Sequence, residues 1–326
     1  VGFDPVTLQA GVDGRAAAIT PNTILLVASA PCYSQGVIDP VTEIAALAQA
    51  RGLLCHVDAC VGGIHLSFLR KLGHTLPAFD FSVPGVTSLS VDMHKYGYAA
   101  KGASVVLYRD RSLRRYQIFS STDTTAYTII NPTALSSRSG GPLAGAWAIL
   151  NYLGEDGYKE IVGTVQTATD RLIAGVQQID GLRVLGQPAM SMFSFASDVI
   201  NVYQLADAMR RRGWYLQPQF STPTSPRNLH ISMTYGVAHN VDALLTDLAA
   251  CMVAVRAEPP LDTEFIAAAA AALAADPSPE AIAGLMGAVG LQPGQLPQEM
   301  ALINEVLDAL PDAVANEILI DFFNAL

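Results

Sequence analysis

Residues 53–58 read LLCHVD, an apolar run of strand length that ends in an acid. A second run, TILLVA at residues 23–28, precedes it, and an amphipathic helix is predicted between the two, with Asp39 as its N-cap and Pro40 as its first residue. This order of elements is a β-α-β unit, whose two strands lie parallel in one sheet. Two more strands are predicted at residues 86–90 and 103–108. The pattern indicates an α/β fold that presents its chemistry at the carboxyl ends of the strands.

The second half of the chain is richer in helices. Helices are predicted at residues 143–153, 159–179 and 202–212, short strands at 190–195 and 229–233, and an almost wholly helical tail beyond Val241. We therefore predict two domains, residues 1–150 and residues 151–326, of which the second is a smaller α+β domain with a helical tail. The chain opens in the middle of the strand pattern, so we expect it to be the later part of a larger domain.

Composition excludes several classes of protein. The chain has 326 residues, of which 51% are hydrophobic and 15% charged, and its net charge is −10. These values exclude a disordered chain and disfavour a surface that binds nucleic acid. The four cysteines show no CxxC spacing, which favours free thiols over a zinc ribbon. The longest apolar stretch, residues 265–275, is shorter than the about 20 residues of a membrane span, and we expect a soluble, cytoplasmic protein without a transmembrane segment.

The first candidate site is the acid at the end of the LLCHVD run. Asp58 lies at the carboxyl end of a predicted parallel strand, where α/β sheets bind ligands. A purely structural alternative is that Asp58 caps the following turn. A metal site is another alternative, because His56, Asp58 and Cys60 alternate onto one face of the strand, although this set is poor zinc geometry.

The second candidate site is a lysine that follows the next predicted strand. Lys95 stands between His94 and Tyr96 in the segment SVDMHKYG, residues 90–97. Partial burial there would lower the pKa of its amine and free it to attack a carbonyl, which is Schiff-base chemistry. The alternative is an ordinary surface lysine. The upstream Asp58 favours the first interpretation, because a pyridoxal cofactor needs a lysine for its aldehyde and a carboxylate for its pyridine nitrogen.

These segments resemble a known family. The stretches HVDACVGG at residues 56–63 and DMHKYGYAAKG at residues 92–102 are similar to the pyridoxal-phosphate enzymes of the sphingosine phosphate lyase family, relatives of the group II amino-acid decarboxylases. Shorter matches lie at residues 36–40, 79–81, 85–88 and 137–141. The resemblance implies an aspartate-aminotransferase-type large domain, present here in part, a smaller C-terminal domain, and a homodimer with shared active sites.

The resemblance also implies roles for individual residues. Lys95 would form the Schiff base with pyridoxal 5'-phosphate and later carry a proton, and Asp58 would keep the pyridine nitrogen protonated. His94 would lie near the cofactor phosphate, and Ser137 would contact that phosphate from its own subunit or from the partner subunit. Lys101 would meet the phosphate of the substrate, with a plain surface charge as the alternative.

The chain also departs from the family pattern. The Gly-rich loop that cradles the cofactor phosphate and the histidine that stacks on the ring belong to a part of the family upstream of Val1. Gln35 stands where the family has a histidine, and Ile129 stands where it has a tyrosine. Tyr127, two residues earlier, is the candidate replacement for that catalytic tyrosine.

The function implied by the resemblance is a carbon–carbon lyase. Such an enzyme cleaves a phosphorylated sphingoid base, or a similar lipid-derived amino alcohol phosphate, to an aldehyde and phosphoethanolamine. Two alternatives remain open from the sequence: an amino-acid decarboxylase on the same fold, and a non-catalytic fragment that keeps the fold. The expected partners are a small phosphorylated amine and a second copy of the chain, without nucleic acid.

Overall fold

The computed structural model describes residues 2–123, 125, 127–135, 137–288 and 299–324. The strands are β1 Leu25–Ser29, β2 Leu54–Asp58, β3 Ser88–Asp92, β4 Ser104–Tyr108, β5 Phe119–Ser121, β6 Ile129–Asn131, β7 Leu182–Val184, β8 Met192–Ser197, β9 Gln217–Gln219 and β10 Asn228–Ser232. The helices are α1 Val12–Ala18, α2 Val41–Ala50, α3 Gly62–Lys71, α4 Arg111–Arg114, α5 Gly141–Gln178, α6 Val202–Arg211, α7 Val241–Ala257, α8 Thr263–Ala275, α9 Pro279–Ala288, α10 Ala301–Asp308 and α11 Asp312–Asn324.

The chain forms two compact units whose segments alternate along the sequence. The first unit comprises the residues up to Asp170 together with Leu185–Phe193 and Ser232–Ala238. The second comprises Arg171–Val184, Ser194–Ile231 and the described residues from His239 onward. Each unit has its own sheet, and each is described by itself below.

The sheet of the first unit has the strand order β1-β2-β3-β4. Strands β1, β2 and β3 are parallel, and β4 is antiparallel to β3. The predicted β-α-β unit is therefore confirmed, with α2 as its helix. The pairings Ser29 with Asp58 and Asp58 with Ser90 bring the carboxyl ends of the three parallel strands to one edge of the sheet.

One face of this sheet is closed. Alternate residues of β1, β2 and β3 are buried because α2 and α3 pack on that face. Ala28, Cys55 and Val57 have no exposed surface at all. The other face is open: Val27 and Leu54 keep 40% and 42% of their surface exposed.

Helix α3 lies close to the sheet because it begins with two glycines. A Cβ atom on Gly62 would stand 2.1 Å from the carbonyl oxygen of Ala30, and one on Gly63 would stand 2.6 Å from the side chain of Val91. Both distances are too short for any other residue. The glycine pair of the HVDACVGG segment therefore fixes the packing of the helix that follows Asp58.

Two local predictions concern the start of α2 and the middle of α5, and the structure corrects the first of them. Asp39 does not cap α2: its buried carboxylate accepts the backbone N–H groups of Ser29 (2.8 Å) and Ala10 (3.0 Å), and Pro40 is the N-cap. The prediction of two helices, at residues 143–153 and 159–179, is confirmed: α5 consists of two helices that meet at a kink at Gly154, where the backbone is not helical (φ 58°, ψ −168°). A glycine adopts that left-handed backbone without steric cost.

The second unit combines a four-stranded sheet, in the order β7-β8-β10-β9, with helices. Its C-terminal helices share a small apolar core that includes Ile266, Leu273, Val306 and Ile318. Helix α10 is attached to α6 by Asp207, whose carboxylate accepts the backbone N–H groups at the start of α10, that of Ala301 at 2.7 Å. This acid therefore serves as a helix cap from another element.

Within the described residues, one helix, Ala238–Ala257, has the length and apolar composition that would allow a membrane crossing. Its buried residues recur every three or four positions, as in the core-facing stripe of an amphipathic helix, and α7 packs on α6. The apolar character of α7 is thus used in the core of the second unit.

Candidate active site

The candidate site lies where β2 and β3 end side by side. Asp58 is the last residue of β2 and Asp92 the last residue of β3. A tight turn follows Asp92, in which the N–H of Lys95 donates to the carbonyl oxygen of Asp92 at 3.2 Å. The parallel register thus places Asp58 and Lys95 at the same edge of the sheet, as predicted, and adds Asp92 to them.

Asp58 is half-buried and has an incomplete set of hydrogen bonds. Its Oδ1 accepts the backbone N–H of Cys60 at 3.0 Å and the hydroxyl of Ser90 at 3.3 Å, and both bonds leave Oδ2 aside. Burial works to raise the pKa of Asp58, but the hydrogen bonds from Cys60 and Ser90 outweigh it and the pKa is lowered. Asp58 therefore caps the turn and also stays ionised at the edge of the sheet.

Two serines of β3 hold His56 on the open face. Its Nδ1 lies 2.8 Å from the hydroxyl of Ser88, and its Nε2 lies 3.1 Å from the hydroxyl of Ser90. Burial lowers the pKa of His56, so the ring is neutral near pH 7. No group of three His, Cys, Asp or Glu side chains in the described chain is arranged to hold a metal ion, which leaves the metal alternative without support.

Lys95 forms an ion pair with Asp92. The distance from Nζ to Oδ2 is 2.9 Å, and the lysine side chain keeps 41% of its surface exposed. Burial acts to lower the pKa of Lys95, as expected from the sequence, but the hydrogen bond to Asp92 and the negative charges around it outweigh burial. The expectation of a lowered pKa is therefore wrong for this state, in which the amine is protonated.

His94 is fixed by the strand that returns beside it. Its Nδ1 lies 2.8 Å from the carbonyl oxygen of Ala103, which can only accept, so Nδ1 carries a proton. Its Nε2 is 3.7 Å from Oδ2 of Asp92. Ser104 donates its hydroxyl to Oδ1 of Asp92 at 2.6 Å. Asp92 is thus the common neighbour of Lys95, His94 and Ser104.

The remaining predicted residues are separate from this cluster. Lys101, Tyr127 and Ser137 are exposed, Tyr127 to 75%, and none of the hydrogen bonds or ion pairs found in the described residues connects them to Asp58 or Lys95. Tyr127 lies between β5 and β6, whereas Thr124 and Ala126 of the same loop fall outside the described residues. The roles assigned to these three residues stay predictions.

Sequence reasoning missed two residues of the site, Ser90 and Asp92. Ser90 contacts three side chains on the open face: the hydroxyl lies 3.1 Å from His56, 3.3 Å from Asp58 and 3.4 Å from the Cys60 sulfur. The signal was present in the sequence, because both residues point to the same face of β3 as the predicted site. Asp92 also stands three positions before Lys95, a spacing that lets the two side chains meet in a turn.

Comparisons with known proteins identify the family of this chain. The family model described as aminotransferase class-V matches residues 9–217, and the chain belongs to that family. A second model, described as the C-terminal putative HTH domain of pyridoxal-dependent enzymes, matches residues 263–325. Both matches support the predicted cofactor, pyridoxal 5'-phosphate.

Individual relatives show which members of the family this chain is similar to. The sphingosine-1-phosphate lyase of Arabidopsis thaliana is 38% identical over 295 residues, which are 90% of this chain and 50% of that protein. The solved sphingosine-1-phosphate lyase of Burkholderia pseudomallei is 38% identical with a TM-score of 0.74, over 78% of this chain and 57% of that one. The predicted resemblance to this lyase family is therefore confirmed, and the chain spans about half the length of the curated relatives it matches.

A more distant structure supports the fold alone. The glutamate decarboxylase of Lactobacillus brevis superposes with a TM-score of 0.69 at 18% identity, over 79% of this chain and 61% of that one. With the family match, it confirms the predicted α/β fold of pyridoxal-phosphate enzymes.

The C-terminal match has one unusual feature of charge. Residues 263–325 contain acidic side chains but no lysine, arginine or histidine. A helix-turn-helix segment that binds nucleic acid needs cationic side chains for the phosphates. In this chain two of the acids, Glu305 and Asp308, form ion pairs with Arg227 of the same unit. The segment is therefore built to pack on its own unit.

Proposed function

We propose that this chain is the catalytic part of a pyridoxal-phosphate-dependent lyase that cleaves a phosphorylated sphingoid base to a long-chain aldehyde and phosphoethanolamine. The observation that carries the proposal is the placement of Asp58 and Lys95 at one sheet edge: Asp58 ends β2, and Lys95 lies in the turn that follows the neighbouring strand β3. The names of the relatives supply the substrate class.

The residues at this edge fit the cofactor chemically. An aldehyde on a pyridine ring needs a primary amine and a carboxylate on one side of the sheet, and the open face presents one of each. Lys95 is exposed enough to be reached, and Oδ2 of Asp58 lies outside the carboxylate's own turn contacts. Bound pyridoxal phosphate would supply an electron sink for the bond that breaks next to the substrate's amino carbon.

The work of this chain is to hold that group and to manage protons. Asp58, whose pKa is lowered by the hydrogen bonds from Cys60 and Ser90 despite its burial, stays negative and favours a proton on a pyridine nitrogen. Lys95 would hold the cofactor aldehyde through Nζ and is also the amine that could return a proton. His94 and Ser137 are proposed to contact the cofactor phosphate, and Lys101 that of the substrate.

The net reaction balances without a further reactant. The substrate hydroxyl loses its proton and becomes the carbonyl oxygen of the aldehyde, while the bond between the hydroxyl-bearing and amine-bearing carbons breaks. The amine-bearing carbon takes up a proton and leaves as phosphoethanolamine. Tyr127 is proposed as the group that accepts or donates one of these protons.

The experiment is a product analysis of the full-length protein, supplied with pyridoxal phosphate and a phosphorylated sphingoid base. We expect equal amounts of long-chain aldehyde and phosphoethanolamine. Release of carbon dioxide from an amino acid, without those products, would favour the decarboxylase alternative. No product and no cofactor absorption band would favour the non-catalytic alternative.

We also propose that the protein acts as a homodimer. Large apolar side chains stay exposed in the segment that contains Ser137, among them Tyr116 at 85%, Trp147 at 70% and Tyr152 at 85%. Several large apolar side chains exposed within one segment of the chain support a protein–protein contact. Sedimentation of the full-length protein tests the oligomeric state. The cytoplasmic location stays a prediction, to be tested by fractionation.

A further inference from the structure

We propose that Asp92 is a positioning residue that holds the amine of Lys95 at the edge of the sheet whenever that amine has no covalent partner. The proposal rests on the proposed function for the identity of Lys95 as the cofactor lysine. It goes further by assigning the group that keeps this lysine in place and charged between reactions.

The first argument is the geometry of Asp92. Its Oδ2 lies 2.9 Å from Nζ of Lys95, and its Oδ1 accepts the hydroxyl of Ser104 at 2.6 Å. Ser104 begins β4, which pairs with β3 residue for residue, Asp92 opposite Ser104. The carboxylate is therefore held from the neighbouring strand and is only 12% exposed, so its position does not depend on the lysine.

The second argument concerns the groups that donate hydrogen bonds to the Asp92 carboxylate. In the described chain, the hydrogen bonds that its carboxylate accepts come from side chains. Several other aspartates at strand ends and turns accept a backbone N–H two residues further on, and Asp58, Asp80 and Asp110 are examples. Asp92 thus has a carboxylate directed at the lysine instead of at the turn.

The third argument is the freedom of the lysine itself. With 41% of its side chain exposed and four rotatable bonds, Lys95 would lose its position without an anchor. A lysine that is released from its cofactor in each turnover must stay at the site and must hold the proton that it returns. An anionic partner three residues earlier provides both, and the lowered pKa of Asp92, held down against burial by Ser104 and Lys95, keeps that partner ionised.

The test measures the amine of Lys95 in the cofactor-free protein. Trace acetic anhydride labels each lysine in proportion to its free amine, and peptide mapping from about pH 7 to about pH 12 gives the midpoint of each one. We expect Asp92→Asn to lower the midpoint of Lys95 by about one pH unit, which is about tenfold more labelling at a given pH. Lys71 and Lys101 serve as internal references and should not change.

Matched variants separate this effect from a general disturbance. Asp80→Asn removes a carboxylate of the same unit that is paired with Arg70 at 2.6 Å, and it should leave the Lys95 midpoint unchanged. Asp92→Glu should restore part of the shift. If Asp92→Asn does not fold, Ser104→Ala tests the same anchor and should lower the midpoint by a smaller amount.

Two results would overturn the proposal. One is a Lys95 midpoint in Asp92→Asn that equals that of the wild type. The other is an equal shift in Asp80→Asn. Because the measurement uses neither cofactor nor substrate, failure of the protein to bind pyridoxal phosphate would refute the proposed function and leave the Asp92–Lys95 coupling standing.

Discussion

The two faces of the β1–β4 sheet are built from the same strands but differ in burial and in polarity. The closed face consists of apolar side chains such as Val57 and Leu89, buried under α2 and α3. The open face carries His56, Asp58 and Ser90, which bond to one another across strands. Because side chains alternate along a strand, three short strands can supply a core on one side and a reactive cluster on the other.

The largest expected effect is on the closed face. Val57→Asp places an unpaired charge where no surface is exposed, and we expect a loss of about 3–5 kcal/mol in the free energy of unfolding. The matched variant on the open face, Val27→Asp, should change stability by less than about 0.5 kcal/mol, because Val27 is 40% exposed. Urea denaturation of this chain measures both. Equal losses would mean that both faces are covered, and the comparison would fail.

The next effect is on the chemistry of the open face. Asp58→Ala in the full-length protein should lower turnover of the phosphorylated sphingoid base by about 10²- to 10⁴-fold while leaving attachment of cofactor to Lys95 possible. Ser90→Ala removes one of the two bonds to Asp58 and should cost far less. Near-normal turnover in Asp58→Ala would show that Asp58 only caps the turn at Cys60 and takes no part in catalysis.

Two histidines predict how the free energy of unfolding depends on pH. His65, on α3, is buried, and burial lowers its pKa to about 4 against a smaller opposing effect of the Gln166 side chain. Since the unfolded chain binds the proton at about pH 6.5 and the folded chain only near 4, stability is lost as pH falls between these values, by up to about 3 kcal/mol. His65→Phe should remove most of this acid sensitivity, and His74→Gln, at an exposed position, should not. Unfolding curves at several pH values measure it, and an unchanged slope in His65→Phe would contradict the assignment.

The smallest expected effect concerns the exposed loop. Ile129→Tyr restores the family residue at the start of β6 and should raise cleavage of the phosphorylated sphingoid base by less than about tenfold, without changing cofactor binding. Steady-state rates of the full-length protein measure it. No change in Ile129→Tyr, together with loss of activity in Tyr127→Phe, would show that Tyr127 already performs the role.

Sequence patterns were sufficient for the closed face and for the main members of the open one. Apolar runs predicted β1 to β4 to within a few residues, and the strand-end rule predicted that Asp58 and Lys95 lie at one edge. Sequence patterns could not show that the Asp39 carboxylate accepts hydrogen bonds from Ser29 and Ala10, because such bonds depend on which chain segments meet in space. The spacing between Asp92 and Lys95 was visible in the sequence, but the bond that holds Asp92 from Ser104 on β4 was not, for the same reason.

The pKa of Lys95 shows where a local argument is insufficient. Partial burial alone predicts a lowered pKa, and burial does act in that direction, but the partner three residues earlier reverses the sign. A sequence shows that an acid and a base are close along the chain. It does not show that the acid is held by a third residue in a position that keeps the base protonated.

The central claim, that the open face binds pyridoxal phosphate through Lys95, is tested most directly by chemical trapping. The full-length protein is incubated with pyridoxal phosphate, reduced with borohydride, digested and mapped by mass spectrometry. The account predicts one pyridoxyl group per chain, on Lys95, and its absence in Lys95→Ala. A label on Lys71 or Lys101 in place of Lys95, or no stable label, would contradict it.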